Sequence, residues 1–126
     1  MGTMGNKFDE LVQMMKEARE KADIANDRAY ALRQSAIRTQ FEATAQAESA
    51  ILTAEILTEC EDEKLRPMLA RASREAARKT VETVVRAADA VEKANQADRL
   101  VTEAFALVRD AAERLTASMD FEDCEK

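Results

Sequence analysis

The chain has no histidine and no tryptophan, a single proline, and two glycines that both fall within the first five residues. Without histidine there is no Ser-His or Cys-His nucleophile, no imidazole general base and no imidazole metal site. With glycine confined to Gly2 and Gly5 no phosphate-cradling loop can form. The acidic runs at 59–63 and 120–125 lack the spacing and the glycine of a calcium loop, and they read as solvated surface. Two cysteines, Cys60 and Cys124, stand far apart with no CxxC pair, and they read as incidental reduced thiols among carboxylates. No apolar run approaches the ~20 residues needed to cross a bilayer, and no charged-then-apolar signal opens the chain. The expectation is a cytoplasmic protein that is not an enzyme and that has no catalytic residue, cofactor or metal.

What the chain does have is alanine and charge. Of its 126 residues 25 are alanine, 35% are charged, only 4% are aromatic, and the net charge is −6. Alanine, glutamate, arginine and leucine with almost no helix breaker point to long helices or a coiled coil. Alanine has the best helix propensity because it loses no side-chain entropy on folding. It also buries little surface, so an alanine core is thin and calls for close packing and shared cores.

Residues 1–6 read as a leader, with Asn6 as the N-cap of a first helix. The opening Met1-Gly2-Thr3-Met4-Gly5-Asn6 approaches an acylation signal on Gly2, although Asn6 stands where Ser or Thr is required. From Phe8 an apolar seam steps by three and four through Leu11, Met15, Ala18, Ala22, Ala25, Ala29, Leu32 and Ala36, the heptad signature. One position continues as Ala43, Ala50 and Leu57, while its partner position turns polar at Thr39, Gln46 and Thr53. Ile37, Phe41, Ile51, Leu52 and Ile56 then suggest a shifted or widened apolar face. The stretch 62–67 holds Pro67 and predicts the bend. Beyond it Val84, Ala87, Val91, Ala94, Asp98, Val101, Phe105, Val108, Ala112, Leu115 and Met119 form the second seam, flanked by Ala90, Ala97, Ala104 and Ala111. Residues 120–126 read as an acidic, fraying tail.

Charge supports a fold-back. Residues 42–63 carry seven acids and no base, and residues 64–86 carry seven bases against Glu75 and Glu82. Folded at the bend, Glu55 is expected near Arg74 and Glu48 near Arg78 or Lys79. Such surface pairs select register more than they stabilise, at ~0–1 kcal/mol each. Arg71, Arg74, Arg78 and Lys79 make a basic stripe, a candidate anion or partner contact, whose simplest use is pairing with the acidic arm.

The expected fold is all-α: an antiparallel hairpin of two long helices, 7–62 and 66–119, within one domain spanning 7–119. A compact single-chain four-helix bundle, bent again near Gln34-Ser35 and Asn95-Gln96, is the alternative. The packing seam is expected to include Ala22, Ala29, Ala36, Ala43, Ala50, Val84, Val91, Val101, Phe105, Val108 and Leu115. The expected role is that of a structural or protein-interaction protein. It pairs with a second copy in an antiparallel four-helix bundle, bringing Cys60 near the other chain's Cys124, or with another helical protein. Nucleic acid is not an expected partner. The alternative role is a membrane-peripheral or cell-surface rod, held by acylated Gly2 or by a signal missing from this chain.

Overall fold

The computed structural model describes the backbone of residues 3–125 and the side chains of residues 7–119. The proposed acylation site at Gly2 and the side chain of Cys124 lie outside these. The chain forms two helices, α1 (Thr3–Glu59) and α2 (Arg66–Glu125), packed as an antiparallel hairpin. Both are continuous. Helix α1 passes through Gln34-Ser35 and α2 through Asn95-Gln96 without interruption, so four short helices are not formed. Polar residues alone do not break a helix where no glycine or proline stands nearby and the heptad phase is kept. Helix α1 begins at Thr3, which places Asn6 inside it and not at its cap, and α2 runs on through the acidic tail to Glu125.

The connection is short and hydrogen-bonded. The amide of Cys60 donates to the Leu57 carbonyl (3.3 Å), tightening the last turn of α1. Asp62 then acts as a cap. Its carbonyl accepts from the amides of Leu65 and Arg66, both at 3.2 Å, and its Oδ1 accepts from the Lys64 amide at 2.9 Å. Pro67 has no N–H, so the turn opened by Asp62 cannot continue its ladder at that residue. Regular hydrogen bonding resumes with the Leu69 amide on the Leu65 carbonyl at 3.0 Å. The Arg66 guanidinium closes the connection by donating to the Cys60 carbonyl at 3.1 Å, a group left over from α1.

Packing divides into two units, one pairing α1 up to Ala31 with α2 from Asn95 onward, the other spanning Leu32–Ala94. In the first, Ala22, Ala29, Ala97 and Ala111 are buried, while Val101, Ala104, Val108 and Leu115 are half-buried. In the second, Ala36, Ala43, Ala87 and Ala94 are buried and Ala50, Ala76 and Ala90 half-buried. Among the described residues every fully buried side chain is therefore an alanine.

The second unit has a polar seam. Thr39, Gln46 and Thr53 of α1 and Ser73, Thr80 and Thr83 of α2 are half-buried along it. Threonine is tolerated there because its hydroxyl donates to a carbonyl of its own preceding turn: Thr39 to Ala36 at 3.0 Å, Thr53 to Ser49 at 2.8 Å, Thr83 to Lys79 at 3.0 Å. Thr80 shares its hydroxyl between the Ala76 carbonyl (2.8 Å) and, across the hairpin, the Gln46 carbonyl (3.2 Å). That bond fixes the register. With Gln46 opposite Thr80, Ala43 falls opposite Thr83, Thr39 opposite Ala87 and Ala36 opposite Ala90.

On α2 the seam differs from expectation. It uses Ala87, Ala94, Val101, Val108 and Leu115, but its second column is Thr83, Ala90, Ala97, Ala104 and Ala111. Val84 stays 50% exposed and Phe105 49% exposed, with Val91 half-buried beside them. Two helices approach most closely over their smallest residues, so the alanine column wins the contact and the bulkier column is left at its flank.

Candidate interaction surface

The same competition leaves large apolar side chains outside. Within the unit 32–94, Ile37, Phe41, Ile51, Leu52 and Ile56 of α1 are exposed, as are Val81, Val84 and Val85 of α2. The residues expected to widen the apolar face of α1 are exposed and spread around the half of the helix away from its seam.

Four of them, Ile37, Ile51, Val81 and Val84, share one side of the hairpin. In an antiparallel pair the column following each equivalent seam position lies on the same side of both helices. On α1 that column is Gln40, Ala47 and Ala54, with Ile37, Thr44 and Ile51 next to it. On α2 it is Ala77, Val84 and Val91, with Arg74, Val81 and Ala88 next to it. One side of this unit is therefore mostly apolar across both helices, with Gln40, Thr44 and, toward the bend, Arg74 as its polar members. The other side carries Leu52 and Ile56 near the bend and is polar farther from it, with a groove between Leu32, Ser35 and Thr39 of α1 and Arg86, Asp89, Ala90 and Lys93 of α2. Lys93 and Asp89 pair there at 3.1 Å. On the apolar side a hollow near the bend is lined by Ile51, Ala54, Glu55, Thr58 and Glu59.

Arg71, Arg74, Arg78 and Lys79 are all exposed on α2. Arg78 donates to Glu75 at 2.6 Å, one turn away, and Arg74 Nε reaches the Ala70 carbonyl at 3.5 Å. The Arg78 hydrogen bond, with the nearby charges of Arg78 and Lys79, holds the Glu75 carboxyl below the ordinary glutamate range and raises Arg78 in turn. The cross-hairpin pairs expected for Glu48 and Glu55 do not form: among the described residues neither takes part in an ion pair of 4.0 Å or less. Glu48, Glu55, Arg71 and Arg78 lie diametrically opposite the seam on their helices, the one position from which α1 and α2 cannot reach each other.

No family model, curated protein or solved structure matches the chain. Its surface has to speak for itself. Among the described residues no three Cys, Asp or Glu side chains assemble as a metal ligand set. No helix there is long and apolar enough to cross a membrane. Cys60 is a half-buried free thiol whose Sγ lies 3.5 Å from the Asp62 carbonyl.

Proposed function

We propose that this chain is a non-catalytic interaction protein that works by helix-to-helix association, first of all with a second copy of itself. The observation that carries the reading is the inversion of its apolar residues. The hairpin buries alanines and leaves isoleucine, valine, leucine and phenylalanine exposed. Fully burying one of the large side chains contributes about 1.5–3 kcal/mol, whereas an alanine contact gives a fraction of that. The stronger hydrophobic driving force thus lies on the outer faces, where only another molecule reaches it. An exposed apolar patch of this kind on a charged protein marks an interaction site.

Light scattering in line with gel filtration, across a wide range of concentrations, tests the reading. A mass twice that of the chain, populated at micromolar concentration, is the expected result. A monomer mass at every concentration refutes it.

A further inference from the structure

Resting on that self-association reading, we infer that two copies stack through the apolar side of residues 32–94 with their bends at the same end, α1 of each lying over α2 of the other.

With their helices aligned, two identical faces stack about a two-fold axis in only two ways. With the axis across the hairpin, bends lie at opposite ends and α1 packs on α1. With the axis along the hairpin, bends coincide and α1 packs on α2 of the second copy. The charges decide between them. In the first arrangement the acidic stretch 42–63 meets itself and the basic stretch 64–86 meets itself. In the second, acid meets base.

The rows diametrically opposite the seam make the match residue by residue. On α1 this row reads Phe41, Glu48, Glu55; on α2 it reads Val85, Arg78, Arg71 at the same heights in the register fixed by Gln46 and Thr80. Within one hairpin the two rows sit on opposite outer edges, too far apart to interact. With bends together, the second copy's α2 row comes alongside the first copy's α1 row. Phe41 then faces Val85, two residues 72% and 64% exposed in the single chain. Glu48 faces Arg78 and Glu55 faces Arg71, and the two-fold axis repeats all three pairs on the other edge. Arg78 keeps its Glu75 contact and gains a second carboxylate. Between these edges large residues meet small ones, Ile51 against Ala77 and Val81 against Ala47, and toward the bend Arg74 lies over Ala54, beside Glu55. From Ile37 to Thr58 the face is ~30 Å long at 1.5 Å per residue and about two helix diameters across. That is roughly 600 Å2 in projection, in reach of the ~800 Å2 of accessible surface per partner that a specific interface buries.

Charge exchange and one distance test this. Variant X carries Arg71→Glu and Arg78→Glu; variant Y carries Glu48→Arg and Glu55→Arg. All four positions are exposed, and circular dichroism checks that each variant stays helical. Each variant alone is expected to dimerise at least ~10-fold more weakly at low salt, since its edge pairs become like-charged. Mixing X with Y is expected to restore a dimer near the native affinity. In a Cys124→Ser protein, spin labels on Cys60 are expected within about 25 Å of each other across the dimer. With bends at opposite ends they would stand ~40 Å apart, because Cys60 is 13 residues from the centre of the face. A dimer whose affinity ignores the exchanges, or whose Cys60 labels lie ~40 Å apart, overturns this arrangement and leaves self-association standing. A monomer mass for the native chain overturns both.

Discussion

Replacing Ala29 by leucine should destabilise the protein, although leucine is the more hydrophobic residue. Ala29 has no accessible surface at all, and the continuing heptad sets it opposite Ala97, itself 4% exposed. Two buried alanines at one level let the backbones approach closely. Leucine adds three carbons to a space with none to spare, and overpacking of this kind costs about 1–3 kcal/mol. Taking ~2 kcal/mol and a urea dependence of ~2 kcal/mol per molar, the unfolding midpoint should fall by ~1 M. The companion is Ala31→Leu, two residues on in the same helix and exposed. It makes the same chemical change and should move stability by no more than ~0.5 kcal/mol. Both are followed by helical circular dichroism during urea titration at one fixed protein concentration. If Ala29→Leu raises the midpoint, or if the two variants shift it equally, the helices are not held at alanine distance and the account of the core fails.

Thr80→Val keeps the side-chain shape but loses the hydroxyl bond across to Gln46, and should lower stability by about 1 kcal/mol in the same assay. Thr58→Val, which removes only a bond within the helix to Ala54 at 2.9 Å, should cost less. Asp62→Ala removes the cap that starts the turn into α2 and should cost ~1 kcal/mol, with Asp62→Asn retaining most of it. Carboxyl NMR titration should find Glu75 titrating below an ordinary glutamate, and Arg78→Ala should return it to the ordinary range. Because the folded-state value is the lower one, the Glu75–Arg78 contact contributes above the unfolded glutamate pKa and is lost as pH falls through the folded one.

Much of this architecture is legible in the sequence because helices announce themselves by period. The seam from Phe8 to Ala36 and its continuation through Ala43 and Ala50 predict α1, and the lone Pro67 in a charged stretch marks the bend. Three features were hidden. Hydrophobicity ranks Val84, Val91 and Phe105 above Ala90, Ala97 and Ala104, yet close approach of two backbones selects the smaller column. Thr39, Gln46 and Thr53 look like a break in the seam, but threonine hydroxyls satisfied within their own helix can stay in it. The balance of acid and base about the bend is plain in the sequence. Which edge those charges occupy depends on which columns form the seam, and the level at which each stands depends on the register marked by the hydroxyl of Thr80.

The connection capped by Asp62 also orders events in time. In the register marked by Gln46 and Thr80, Leu57 falls opposite Leu69 across a loop of eleven residues and Ala36 opposite Ala90 across fifty-three. Closing a loop costs more entropy the longer it is, although the cost grows only slowly. Each pair that forms next to the bend brings the following pair within reach, so loop entropy favours closure from Asp62 outward. Chain synthesis cannot begin that process until α2 emerges. Until then α1 carries its alanine seam and its outer apolar face both uncovered, and the rate at which the bend nucleates sets how long that exposure lasts.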